Sequence, residues 1–365
     1  MANAVYSVAV IPGDGIGQEV MPAAIEIVDA AAGAFGFSVD WVEYPWSCAR
    51  YAATGSMMPP DGIEGLAGHD AILLGAVGDP SVPDHVSLWG LLVPIRRAFD
   101  QYVNLRPALL LPGVMSPLRG VGDGGQHVDI LVVRENTEGE YSEVGGRAFS
   151  GTRKEFAVQE AIFTRVGIAR VVEYAAKLAE ARRGKLTCAT KSNGIIHTMT
   201  LWDEVAGEVL ARHPGVESRS MHVDALAARF ISHPAELDVV VGSNLFGDIL
   251  SDVGAAIVGS LGMAPSANLN PERNHPSMFE PVHGSAPDIA GRGIANPIAQ
   301  IWSAAMMLDH LGHPDAAAAI VAAITAVLEG SDLRTPDLGG TARTADMTIA
   351  ISGALVDVPK NKTVS

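Results

Sequence analysis

Cysteine is nearly absent: Cys48 and Cys188 are the only two in 365 residues, and neither belongs to a Cys-x-x-Cys pair. That excludes a disulfide framework and a thiolate zinc or redox site, leaving two buried reduced thiols as the plain expectation. Basic residues are also scarce, 25 Lys and Arg against 41 Asp and Glu, for a formal charge of −16. Such a field repels nucleic-acid backbones and anionic lipid surfaces, so neither is an expected partner. No apolar run reaches about 18 residues, and Met1 to Ile11 shows no basic segment followed by an apolar one, so a membrane span is excluded and a cytoplasmic location expected. Charged residues make up only 18% of the chain and hydrophobic ones 48%, a globular composition without disordered tracts. At this length two domains are expected rather than one.

What is present is an alternation. The apolar run Val5–Ile11 meets Pro12-Gly13-Asp14-Gly15-Ile16-Gly17 and then the helix-like stretch Gln18 to Ala32. Further strands are expected near Val39–Tyr44, Ala71–Leu74, Val128–Val133, Leu186–Thr190 and Leu237–Val241, which makes the class α/β. Asn296-Pro297 followed by Ile298, Ile301, Trp302 and Ala305 reads as a capped helix ended by Gly312, and Asp315 to Leu328 as another. Pro/Gly punctuation at Pro107–Gly125 and Gly259–Pro276 marks the two expected domain crossings. The glycines near residue 15 are spaced G-x-G-x-G, and no acid closes a clear βαβ unit behind them, so a Rossmann cofactor site is rejected and a tight strand-to-helix turn expected.

Arg134, Lys191 and Asp248 share an address, each lying just beyond an expected strand, where open α/β sheets gather their ligands. Each alone reads as a solvated loop charge; a base, an arginine and an acid together point to a site. Asp248 and Asp252 are four apart, so a helix would project both carboxylates from one face about 6 Å apart, suited to Mg²⁺ or Mn²⁺. Taken by itself the pair reads equally well as acids favoured by a helix N-terminus. Arg96 and Arg106 are ten residues apart and with Arg134 could clamp two carboxylates through paired guanidinium donors, or simply form surface ion pairs. In Glu280-Pro-Val-His-Gly-Ser-Ala-Pro-Asp-Ile, small residues let a ligand approach the backbone while His283 and Asp288 supply polar groups; a cofactor loop and an ordinary polar turn both fit.

Taken in order, Ile11-Pro-Gly-Asp-Gly-Ile-Gly, Asn104-Leu-Arg-Pro, Arg134-Glu-Asn-Thr-Glu-Gly-Glu-Tyr, Lys191-Ser-Asn, Asp224, Asn244-Leu-Phe-Gly-Asp-Ile-Leu-Ser-Asp and Glu280-Pro-Val-His-Gly-Ser-Ala-Pro-Asp-Ile resemble the β-decarboxylating dehydrogenases of isocitrate, 3-isopropylmalate and D-malate/tartrate, from Ile11 to about Gly312. The resemblance implies the non-Rossmann isocitrate/isopropylmalate dehydrogenase-like fold, with a discontinuous cofactor-binding domain (1–106 plus 265–365) and a substrate and dimerisation domain (107–264). It implies a homodimer with shared active sites, Lys191 and Asp224 entering the partner's. Arg96, Arg106 and Arg134 would hold substrate carboxylates. Asp224, Asp248 and Asp252 would bind Mg²⁺ or Mn²⁺. Lys191 would accept the hydroxyl proton, and Tyr141 would protonate the enolate left by decarboxylation. His283, Gly284, Ser285, Ala286, Pro287, Asp288 and Asn296 would bind the cofactor. Asp288 and Ile289 replace the Lys and Tyr of NADP-dependent relatives, so a 2′-phosphate would meet a like charge and NAD is the expected cofactor.

Relatives acting on isocitrate carry Ser and Asn six and four positions before the first arginine, where Gly90 and Leu92 stand here. The third carboxylate of isocitrate therefore lacks its partners, and a small dicarboxylic 2-hydroxy acid is expected. Trp46-Ser-Cys, Pro83-Asp-His-Val-Ser-Leu-Trp-Gly and Ser266-Ala-Asn-Leu-Asn-Pro-Glu-Arg resemble the D-malate/tartrate branch; Leu92 would also suit 3-isopropylmalate, which stays as the alternative. Asp79 departs from that branch, which often has tryptophan there. A catalytically silent regulatory subunit is disfavoured, since Tyr141, Lys191, Asp224, Asp248 and Asp252 are all present.

Overall fold

A computed structural model describes residues 4–122 and 125–357. Its strands are β1 (Ala4–Gly13), β2 (Phe37–Glu43), β3 (Ala71–Ala76), β4 (Val103–Leu109), β5 (Asp129–Glu135), β6 (Gly145–Ala148), β7 (Phe156–Gln159), β8 (Lys185–Thr190), β9 (Glu217–His222), β10 (Val239–Gly242), β11 (Pro265–Leu269) and β12 (Ser277–Pro281). The described residues fall into two compact units, one drawn from Met1–Gln101, Leu109–Gly125 and Ala255–Ser365, the other from Tyr102–Ala108 and Gln126–Gly254. Compared with the expected bounds, the first unit takes in residues 109–125 and 255–264, and the second takes 102–106, Arg106 among them.

In the first unit the strand order is β2-β1-β3-β12-β11. β1 pairs in parallel with β2 and with β3, β12 is parallel to β3, and β11 turns back antiparallel to β12. The helix Gly17–Phe35 buries Val20, Ala24, Ile27 and Val28, a stripe at helical spacing, and ends at Gly36 in the left-handed conformation that lets its N–H bond Ala32 O. Its β1-helix-β2 connection is a true βαβ unit, against the sequence expectation. The strand β2 spans Phe37–Glu43, close to the expected Val39–Tyr44, and mixes half-buried with exposed residues.

The glycine turn is explained by close packing. Gly13 has φ +74°, and a Cβ there would lie 1.9 Å from Ala76 O, so the ends of β1 and β3 meet at a distance only glycine allows. Asp14 then ties the turn together, its carboxylate accepting from Cys48 N at 3.0 Å and Gly78 N at 3.1 Å. Near the other end, the helix Ile298–His310 starts one residue later than expected; Asn296 Oδ1 still accepts from Ile298 N at 3.0 Å, so its capping role holds.

The second unit runs β4-β5-β10-β8-β9, with β5, β10, β8 and β9 mutually parallel. β5 and β10 are almost wholly buried and read as continuous apolar runs, as central parallel strands do. Arg134 lies inside β5, one residue from its end, and Asp248 within the helix Asn244–Ile257 that begins two residues after β10. An antiparallel hairpin, β6 with β7, carries exposed apolar side chains at Phe149, Phe156 and Val158. No helix among the described residues is long and apolar enough to cross a membrane.

Candidate active site

Within the second unit, the carboxyl end of β5 and the first turns of the helix Asn244–Ile257 bring five expected residues together. The buried Arg134 donates through Nε at 3.0 Å and a terminal nitrogen at 2.7 Å to Asn244 Oδ1, and through its other terminal nitrogen to Asp248 Oδ1. Arg106, on β4, donates from one terminal nitrogen to the same Asp248 oxygen at 3.0 Å and to Ser251 Oγ at 2.8 Å, and lies 3.8 Å from Asp252 Oδ1. The helix can approach this closely because residue 247 is glycine; a Cβ there would lie 2.5 Å from Arg134 Cβ. Asp248 and Asp252 therefore share a face, as their spacing predicts.

Tyr141 completes the cluster. Its hydroxyl donates to Asp248 Oδ2 at 2.9 Å, and its ring lies under the Arg134 guanidinium at 5.4 Å. Burial, then the Asp248 charge, push the phenol above its ordinary pKa, with Arg134 and Arg106 opposing; it holds its proton at neutral pH. Partial burial and the neighbouring Asp248 charge also raise the Asp252 carboxyl, while Arg106 pulls it down. Two acids on one helix face that repel each other form a donor set a divalent cation would relieve, and hard carboxylate oxygens are the right chemistry for Mg²⁺ or Mn²⁺. Among the described residues no group of three or more His, Cys, Asp or Glu is gathered to hold a metal, so the set fits such a cation with one or more ligands still to be supplied.

Lys191 follows β8 directly and pairs with Asp224, Nζ to Oδ1 at 2.7 Å, at the start of the helix Val223–Ser232. The hydrogen bond from Lys191 holds the exposed Asp224 carboxyl below the usual range.

The remaining expected residues lie in the first unit. Arg96 is buried and donates to Glu280 Oε1 at 2.7 Å, an oxygen that also accepts from Asn268 Nδ2 at 2.7 Å. The loop from His283 to Asp288 follows β12. Ala286 takes a positive φ of 41°, and Ser285 O accepts from Ile16 N at 2.9 Å, fixing the loop on the glycine turn. His283 donates from Nδ1 to Gly284 O at 3.0 Å and is kept neutral by burial, which leaves Nε2 a buried acceptor without a partner. An orphaned ring nitrogen in a small-residue loop, beside the exposed Asp288, fits a nucleotide cofactor. Asn296 is occupied, capping the helix behind it and donating to Asp337 Oδ2 at 3.0 Å.

Two partners went unassigned from sequence. Asn244 and Glu280 open two of the motifs quoted above, and their roles, orienting Arg134 and Arg96, become visible only as contacts over 110 and 184 residues of chain.

Two buried arginines on neighbouring strands, a protonated tyrosine in the loop beyond β5 and paired acids on one helix face make an α/β site suited to a small carboxylate substrate. The comparisons make the class specific. A model of the isocitrate/isopropylmalate dehydrogenase family matches residues 7–351, and the chain belongs to that family. It is 53% identical over 352 residues to the D-malate dehydrogenase (decarboxylating) of Escherichia coli (strain K12), covering 94% of this chain and 97% of that one. It is 52% identical over 361 residues to the tartrate dehydrogenase/decarboxylase of Pseudomonas putida, covering 96% and 98%. Among solved structures, the isocitrate dehydrogenase from Methylococcus capsulatus superposes with a TM-score of 0.87 at 35% identity, covering 96% of this chain and 99% of that one.

Proposed function

We propose that this enzyme is an NAD-dependent, divalent-metal-dependent dehydrogenase of D-malate, tartrate or both, working in the cytoplasm and decarboxylating the keto acid formed from D-malate. The observation that carries the reading is the cluster of Arg106, Arg134, Tyr141, Asp248 and Asp252: two buried cations for carboxylates, a protonated phenol, and acids on one helix face. The names of the half-identical relatives in Escherichia coli and Pseudomonas putida support the choice of substrate.

Arg96, Arg106 and Arg134 take the substrate carboxylates, which compete with Asp248 and Glu280 for guanidinium donors. Lys191 of a second copy accepts the 2-hydroxyl proton as C2 is oxidised. After carbon dioxide leaves, Tyr141 delivers its proton to the enolate carbon. Asp248, Asp252 and Asp224 of a second copy would hold a divalent cation, which would supply Lewis acidity. The loop His283, Gly284, Ser285, Ala286, Pro287 and Asp288, with Asn296 behind it, would hold NAD, which would supply the hydride acceptor; the Asp288 carboxylate suits a ribose diol and repels a 2′-phosphate. The first unit is thus the cofactor-binding one and the second the substrate-binding one. A homodimer is supported by the exposed apolar residues of the β6–β7 hairpin and by an acid, Asp224, left exposed outside the metal pair.

The test is a kcat/KM panel of D-malate, the tartrate isomers, 3-isopropylmalate and isocitrate with Mn²⁺ and either NAD or NADP. D-malate or a tartrate should lead, with NAD well ahead of NADP. A lead for 3-isopropylmalate would move the enzyme to that branch, and a lead for isocitrate would remove the substrate argument altogether.

A further inference from the structure

The segment Arg134-Glu-Asn-Thr-Glu-Gly-Glu-Tyr holds three glutamates that the proposed reaction does not use, and each carboxylate closes a different piece of backbone. Glu135, buried at the end of β5, turns back on its own chain and accepts from Thr137 N at 3.0 Å, Thr137 Oγ1 at 2.9 Å and Glu138 N at 2.9 Å. Glu138 accepts from Thr164 N at 2.9 Å and Thr164 Oγ1 at 2.8 Å, at the start of the helix Arg165–Ala181. Glu140 reaches the helix that carries Asp248: its Oε1 accepts from Ser243 Oγ at 2.7 Å and its Oε2 from Leu245 N at 3.0 Å. Leu245 is the second residue of that helix, so its N–H has no acceptor within the helix, and a carboxylate there also meets the positive end of the dipole. A second tie lies beside it, Asn244 Nδ2 donating to Glu138 O at 3.0 Å.

Tyr141 is the next residue in the chain. Its hydroxyl is held by Asp248 and its ring by Arg134. Both partners are engaged by ligands in the proposed reaction, so neither contact is constant through turnover. The bonds from Ser243 and Leu245 to Glu140 involve no group that reacts or binds. We propose that Glu140 is a positioning residue: it clamps the loop of Tyr141 to the N-terminus of the helix Asn244–Ile257 and so keeps the phenol at the enolate carbon while Asp248 changes partner. In that step the tyrosine O–H bond breaks, a C–H bond forms at the enolate carbon, and water reprotonates the phenolate left behind. The inference rests on the proton-donor reading of Tyr141 given above.

Glu140→Ala should lower oxidative decarboxylation of D-malate by roughly tenfold to a hundredfold, the cost of misplacing a reacting group by about 1 Å, while reduction of a preformed keto acid is largely kept. In a Tyr141→Phe background the same substitution should cost almost nothing further, because the group it positions is gone. Glu140→Gln should restore most of the loss, since its amide oxygen can accept from Leu245 N while its NH₂ donates to a rotated Ser243 hydroxyl. Stability without any ligand should follow: Tyr141→Phe should cost less Tm in the Glu140→Ala background than in wild type. Should Glu140→Ala fail to fold, Ser243→Ala removes one of the two donors and should show a smaller loss of the same kind. Equal losses in both half-reactions, losses that multiply in the double variant, or a Gln variant as impaired as the Ala variant would each overturn the proposal. If Tyr141→Phe itself shows no selective loss, the role of the tyrosine falls and the proposal with it. A selective loss in Tyr141→Phe without one in Glu140→Ala or Ser243→Ala overturns the role of Glu140 alone.

Discussion

Replacing Lys191 with alanine is expected to stall D-malate oxidation by roughly 10²–10⁴-fold in kcat, the range of a lost general base. Tyr141→Phe should behave differently, keeping reduction of a preformed keto acid while losing oxidative decarboxylation. The reasons are local. Lys191 stands at the end of β8 and its Nζ donates to Asp224, so the base role proposed for it requires that carboxylate to be drawn away and the amine to be neutral. Tyr141 is a proton donor by environment: burial and the Asp248 charge raise its pKa, and its hydroxyl already donates to that carboxylate. Phenylalanine retains the ring beneath Arg134 and removes only the hydroxyl. Measuring hydride transfer and carbon dioxide release separately checks the assignment. Equal losses in both half-reactions for both variants would remove the division of labour.

A second large effect is expected at Asp248. Its carboxylate accepts from Arg106, Arg134 and Tyr141, and the two arginine side chains are only 9% and 3% exposed. Asp248→Asn leaves two buried guanidiniums without their acid, a change that costs about 3 kcal/mol, the lower end for a broken buried pair because Asp248 itself is 31% exposed. Asp252, 61% exposed and 3.8 Å from Arg106, should cost below about 1 kcal/mol when changed to Asn. Mn²⁺ is expected to stabilise the wild-type enzyme and to stabilise both variants less. D-malate, by returning carboxylates to the arginines, should stabilise Asp248→Asn more than it stabilises wild type. Urea unfolding with and without each ligand decides the matter. Equal costs for the two substitutions would mean that Asp248 does not hold the arginines.

These contrasts also mark how far the sequence could be read. The helix face shared by Asp248 and Asp252 was legible because a spacing of four is local geometry, and the strand ends at Arg134 and Lys191 because buried parallel strands are continuous apolar runs. Strand β9, Glu-Ser-Arg-Ser-Met-His, is largely exposed and carries no such run, so nothing in its composition announced it. Strand β11 sits within Gly259–Pro276, a stretch rich in Pro, Asn and Ser that reads as a crossing between domains, and its antiparallel partner β12 follows directly after it. Glu280 beneath Arg96 escaped for a different reason. It depends on a contact between distant segments, and a buried glutamate in isolation says nothing about what it touches.

The account stands most directly on a single coupled measurement, formation of reduced NAD and release of carbon dioxide from D-malate, followed together with Mn²⁺ and again after chelation. It predicts one carbon dioxide for each reduced NAD, and loss of both products when the metal is removed. Reduced NAD formed without carbon dioxide, or turnover that survives chelation, would contradict it.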